Sequence, residues 1–218
     1  MVENQGNRAT CTIAGLVLFG RGQRHYLRHA GARWMSFTGK TKDYQAEDDT
    51  VLDGPLVALR ASSGRNIVED GLIERLMNRM RPFISEEGAT LVDGLRRERT
   101  YRYVPEVVRE ALLNAFIHRD WTRAMEVEVV NYTDRLEIIS PGTLQNAMTI
   151  DKMLAGQRSP RNSIIVDVMR DYGYIDARGM GVYRKIVPLT REYTGEDPIF
   201  DLTDDYLRVV IPARRSSQ

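Results

Sequence analysis

The stretch "REALLNAFIHRD", Arg109 to Asp120, decides the fold. At about 100° per residue, Val104, Val107, Val108, Ala111, Leu112, Ala115 and Phe116 cover one broad side of a helix, while Leu113 and Ile117 flank Glu110 and Asn114 on the other. A helix that is apolar nearly all round is buried, not laid on a surface. Yet Glu110, Asn114 and His118 follow one another four residues apart along its length. A carboxylate and an amide kept in a partly covered place must be paired, hydrated or holding a ligand. On the residues alone two readings stand: Glu110 pairs with a nearby arginine and Asn114 with backbone, or the stripe is a binding site. Pro105 lies in the first turn, where its missing N–H costs nothing.

Downstream, "MEVEVVNYTDRLEIIS" alternates apolar and polar residues on both sides of the turn residues Asn131 to Asp134, the signal of a hairpin. "SPRNSIIVDVMRDYG" places Ile164, Ile165, Val168, Met169 and Tyr172 at helical spacing and stops at Gly173. "YIDARGMGVYRKIVPL" is a glycine-rich turn running into a short helix, and "IFDLTDDYLRVVIP" closes with two more strands. Helix, hairpin, helix, glycine turn, helix and hairpin predict helices layered on one face of a mostly antiparallel sheet, an α+β arrangement.

Upstream the material is mixed α/β. "TIAGLVLFG" is a buried helix or strand, and in "ARWMSFTGK" the alternation of Ala32, Trp34, Ser36 and Thr38 against Arg33, Met35 and Phe37 fits a half-buried strand. "EDDT" and "DGP" read as punctuation. A helical pattern then runs unevenly from Gly54 to Met80, with Leu72, Leu76 and Met80 on one face and a break at Ser62 to Gly64. "ATLVDGLRRERTYRYV" reads as two β-like pieces.

Bulk properties narrow the class. The 218 residues are 42% hydrophobic and 28% charged, an ordinary globular balance. With 31 Lys plus Arg against 30 Asp plus Glu, the net charge of +1 gives no global electrostatic argument for nucleic acid. The single cysteine, Cys11, cannot form an internal disulfide, so a reducing, cytoplasmic setting is expected. No apolar run is long enough to span a bilayer, so no membrane partner is expected. His25, His29 and His118 lack a cluster at metal-ligand spacing, and His25 with His29 reads as a solvated basic helix face.

Four motifs in order, "YVPEVVREALLNAFIHRDW", "DRLEIISPGTL", "SPRNSIIVDVMRDYGYID" and "RGMGVYRKI", resemble the C-terminal part of transcriptional regulators of the RecG-related, ATP-dependent DNA helicase-like kind. In that family this part is similar to a divergent GHKL (HATPase-like) ATP-binding domain, the fold of gyrase, heat-shock chaperone, histidine kinase and MutL-type proteins. The resemblance implies a two-layer α/β sandwich of GHKL (Bergerat) type over residues 99–213. Residues 7–98 resemble the smaller connector that follows a Schlafen-type AlbA domain. Neither that domain nor the C-terminal helix-turn-helix of some relatives is visible, so the chain is expected to be a truncated or shortened member. DNA contact would then run through those missing domains, and homodimerisation is a further expectation.

The resemblance also carries chemistry. Asn114 matches the residue that holds Mg²⁺, a cation that takes hard oxygen ligands. Glu110 matches the candidate base that orients or deprotonates the attacking water. His118 and Arg119 follow and could reach phosphate or simply solvate the helix end. Where relatives read Asp-x-Gly-x-Gly for adenine, this chain reads Ser140-Pro141-Gly142-Thr143-Leu144: one glycine survives, and a serine oxygen is a weaker acceptor than a carboxylate. "SPG" is also an ordinary turn signal. Gly179 and Gly181 match the second glycine box, where backbone approaches phosphate at a helix start. Arg161 and Asn162 fall in the segment resembling the ATP lid, although Asn162 would equally serve as an N-cap.

Two functions from different classes follow. One is a nucleotide-binding regulatory module using ATP and Mg²⁺, with slow hydrolysis through Glu110. The other is a degenerate GHKL scaffold for dimerisation or partner binding without nucleotide. A helicase motor is excluded because no Walker G-x-x-x-x-G-K-[ST] occurs: "FTGKT" (Phe37 to Thr41) has Trp34 where the first glycine belongs.

Overall fold

The structure, a computed structural model, describes residues 2–5, 8–62, 64, 66–92, 96–175 and 181–215. The chain opens with strands β1 (Val2–Gln5) and β2 (Arg8–Cys11), helices α1 (Ile13–Phe19) and α2 (Gln23–Tyr26), and strands β3 (Ala32–Ser36) and β4 (Asp48–Leu52). Strands β5 (Leu59–Arg60) and β6 (Ile67–Glu69), helix α3 (Leu72–Ile84) and strands β7 (Ser85–Val92) and β8 (Arg96–Tyr101) follow. Helix α4 (Pro105–His118) then precedes the hairpin β9 (Val127–Asn131) and β10 (Arg135–Pro141). Helices α5 (Ile150–Leu154) and α6 (Ser163–Asp171), a π-helical stretch Val182–Ile186, helix α7 (Val187–Thr194) and strands β11 (Ile199–Leu202) and β12 (Tyr206–Pro212) complete it.

Six strands form one sheet in the order β11-β12-β10-β9-β3-β4. All neighbours are antiparallel except β3 and β9, which run parallel with Trp34 opposite Val129. The fold is thus the expected α+β type, and its sheet includes strands from both sides of residue 98.

Alternation sets the two faces of this sheet. Ala32, Trp34, Val127, Val129, Leu136, Ile138 and Ile211 point to one side and share a core with Leu72, Leu76 and Met80 of α3, Ala111 and Leu112 of α4, and Ile165 and Met169 of α6. Arg33, Met35, Phe37, Val130 and Tyr132 take the other side, where Met35, Phe37, Val130 and Tyr132 make a small separate cluster. Around it run ion pairs, Arg33 with Asp49 at 2.6 Å and Arg135 with Glu137 at 2.7 Å. Helices on one face and a charged ladder on the other give the two layers.

Three local expectations change. The helix expected from Gly54 begins only at Leu72, because β5 and β6 pair as a small hairpin before it. "EDDT" is not punctuation but the start of edge strand β4. Asp48 is tolerated there because Trp34 Nε1 donates to it at 2.8 Å and Arg79 Nε at 2.7 Å. Burial pushes the Asp48 pKa up, but hydrogen bonds from Arg79, Thr50 and Trp34 outweigh it and hold the carboxyl below its ordinary range. Ile164 of α6 is 54% exposed, and Ile165 and Met169 carry the fully buried face of that short helix, with Val166 and Val168 partly buried against the same core. Among the described residues no helix is long and apolar enough to cross a membrane.

Candidate functional site

Helix α4 is buried along Val107, Val108, Ala111, Leu112, Leu113, Ala115, Phe116 and Ile117. The stripe left over, Glu110, Asn114 and His118, opens onto a cavity of about 880 Å³. Its floor is the apolar sheet face at Ile138, Leu207 and Val209, and its cover is the segment between Thr143 and Pro160. The π-helical stretch forms the far wall.

At the N-terminal end of the stripe the polar groups are closely packed. Asn114 Nδ2 donates to Glu110 O at 2.8 Å and to Glu110 Oε1 at 3.3 Å. Glu110 Oε2 lies 3.9 Å from Lys185 Nζ, which is also 3.1 Å from Glu106 Oε1. Gly181 presses against the same carboxylate: a Cβ there would stand 1.7 Å from Glu110 Oε1. A side chain there would have to displace the Glu110 carboxylate, so the close approach favours glycine. Its companion Gly179 lies outside the described residues.

The C-terminal end is quieter. Ser140 Oγ donates to Ala115 O at 2.7 Å, tying β10 to α4. Gly142 has φ +104°, and a Cβ would meet Asp120 Cβ at 2.6 Å. Burial, helped by the nearby Arg161 charge, pushes the His118 imidazole down to about 4, so it is neutral at pH 7.

The remaining sequence candidates are built into the frame rather than the cavity wall. Arg119 is 1% exposed, donates from Nη2 to His29 O and Met125 O at 2.7 Å, and stacks on Trp121 with 4.4 Å to the ring centroid. Burial pushes its pKa down to about 10. Arg161 Nη1 meets Asp120 Oδ2 at 3.1 Å and Nη2 donates to Thr143 O at 2.7 Å. Asn162 occupies the N-cap of α6, but its side chain makes no cap bond there. Instead Nδ2 donates to Ile117 O at 2.7 Å and Arg119 O at 2.9 Å, closing the carbonyl end of α4.

Sequence reasoning missed the cavity's cations. Arg158, Arg170, Arg184 and Lys185 all line it. Lys185 had a readable signal: it stands four residues past Gly181 on the element that the glycine box introduces.

Residues 124–211 match the family model described as "Putative ATP-dependent DNA helicase recG C-terminal", so over this stretch the chain is similar to the RecG-related, HATPase-like family that the motifs resemble. The match begins beyond α4, and Glu110 and Asn114 rest on their position alone. The crystal structure of the DIP2311 protein from Corynebacterium diphtheriae is similar with a TM-score of 0.66 at 21% identity, a likeness of fold. It covers 92% of this chain, which spans 37% of that one. No curated protein matches.

Proposed function

We propose that this chain is a nucleotide-binding regulatory module that takes ATP with Mg²⁺ in the cavity beside α4. The observation that supports it most is convergence: Glu110, Asn114, His118, Ser140, Gly142 and Gly181, from separate stretches of sequence, line one cavity of about 880 Å³. Sites for small molecules are typically about 300–1,000 Å³, mostly apolar, with a few placed polar groups.

The residues present fit the ion and the phosphates. Because its Nδ2 donates to Glu110 O, Asn114 turns its Oδ1 to other partners, a hard oxygen of the kind Mg²⁺ takes beside water and phosphate oxygens. Bound there, the ion would neutralise phosphate charge. Glu110 would take the proton of an attacking water, and Gly181 lets backbone approach where a side chain would collide. Hydrolysis by this arrangement is slow in our reading, and regulation follows from occupancy. The fit is looser for adenine: the Ser140 hydroxyl, which donates to Ala115 O, can still accept from the adenine amino group but is a weaker acceptor than a carboxylate. That weaker acceptor favours a second reading, a scaffold that keeps the fold for partner binding or dimerisation.

Calorimetric titration of the chain with a non-hydrolysable ATP analogue and Mg²⁺ separates the two. Binding is expected, weakened about tenfold to a hundredfold by Asn114→Ala in a variant shown to be folded, the size of a single interaction with a charged group. No heat with the unaltered chain at millimolar concentrations would leave the scaffold reading standing.

A further inference from the structure

We propose that Lys185 is the residue by which the cavity distinguishes a nucleoside triphosphate from a diphosphate. The inference rests on the nucleotide reading and deepens it. The stripe on α4 acts as a ruler, eight residues from Glu110 to His118, or about 12 Å at about 1.5 Å per residue. Its two ends differ in chemistry. At the His118 end stand a neutral imidazole, a serine hydroxyl bound to backbone and a glycine turn against Asp120. Two arginines at that end, Arg119 next to His118 in the chain and Arg161 acting on it by its charge, are engaged with backbone carbonyls and with Asp120. The same end adjoins the apolar floor at Leu207, the partner of Ser140 in the sheet. At the Glu110 end Asn114, Gly181 and Lys185 meet. A nucleotide lying along the ruler therefore carries its phosphates toward Lys185.

Lys185 is suited to a switchable contact. It bridges Glu106 at 3.1 Å and Glu110 at 3.9 Å, carboxylates one turn apart on α4, with its side chain 29% exposed. Glu106 is 55% exposed, and an ion pair of that kind contributes little. A terminal phosphate, more highly charged, can draw the ammonium off it while leaving Asn114 and Gly181 undisturbed. The lysine sits in the π-helical stretch Val182–Ile186, where Val187 N–H reaches back five residues to Val182 O. Such widened turns interrupt the regular ladder and recur at functional sites. Here Pro188, which has no N–H to donate, follows directly and accounts for the interruption. Lys185 from this widened stretch and Gly181 from the cap position before it both line the cavity.

The test is a paired titration of the whole chain with Mg²⁺-ADP and with the Mg²⁺-bound non-hydrolysable ATP analogue. Unaltered protein is expected to prefer the triphosphate. Lys185→Met should weaken the triphosphate analogue about tenfold or more while changing ADP by no more than about twofold, the effect of removing one charged hydrogen bond. Lys185→Arg should restore part of the preference, and Arg184→Met, removing the adjacent cavity cation, should shift both nucleotides alike. Equal weakening of both nucleotides by Lys185→Met, or no change in either, overturns the role of Lys185 while leaving nucleotide binding intact. Failure of the unaltered chain to bind either one overturns the nucleotide reading and this inference together.

Discussion

His118 shows how one residue reports on the whole site. Its imidazole has been pushed from an ordinary 6.5 to about 4 by burial and by Arg161. Below pH 6.5 the unfolded chain takes up a proton that the folded chain refuses. Stability present in full above that pH is therefore lost progressively as the pH falls to about 4, by up to about 3 kcal/mol. Urea unfolding at pH 7, 5.5 and 4.5 should give a steeper decline for the natural chain than for His118→Gln, whose difference curve isolates this group from the carboxylates. Parallel declines would mean that His118 is solvated. Glu110, Asn114, His118, Ser140, Gly142 and Gly181 could be singled out because each sits in a motif whose spacing is local, and the fold brings them round one cavity. Arg119 and Arg161 could not be placed from sequence for the opposite reason: an arginine looks the same there whether it faces phosphate or, as here, backbone carbonyls brought in from residues 29, 125 and 143.

Between elements, the cover of the cavity hangs from two side chains. The chain leaves β10, runs from Thr143 to Pro160 over the cavity, and is recaptured where Arg161 ties Thr143 O to Asp120 and Asn162 ties the last carbonyls of α4. Burial pushes the Asp120 pKa up, but bonds from Thr122 and the charges of Arg161 and Arg123 outweigh it and hold the carboxyl below its ordinary range. Arg161→Ala should therefore speed amide hydrogen exchange across 144–159 in the ligand-free protein and leave β9 and β10 protected, since local opening needs only local contacts to fail. Unchanged exchange in 144–159 together with weaker nucleotide binding would return Arg161 to the phosphate role expected from the sequence. The same scale explains which elements could be read. The β9–β10 hairpin announces itself by alternation around a turn, as does the β11–β12 pair. Strand β4 did not, because Asp48 and Asp49 look like turn residues until Trp34, Arg79 and Arg33 are seen to bind them.

For the molecule as a whole, the sheet sets what can be cut away. Strand β3, from the N-terminal segment, pairs parallel with β9 and carries Trp34, 0% exposed, into the common core. Helix α3 lays Leu72, Leu76 and Met80 into the same core. A piece comprising residues 99–215 would open the β9 edge that β3 now pairs and uncover the side of α4 that α3 now covers. Each large apolar side chain so exposed forfeits about 1.5–3 kcal/mol, and a handful of them exceeds the roughly 5–15 kcal/mol by which a domain is stable. An unpaired central strand also becomes a template for aggregation. Residues 99–215 expressed alone should accordingly show no cooperative thermal transition and no near-ultraviolet dichroism, whereas the full chain shows one transition. A sharp transition from the piece alone would establish two independent domains at the boundary near residue 98, and would mean that Glu110 and Asn114 keep their geometry without β3 or α3 beside them.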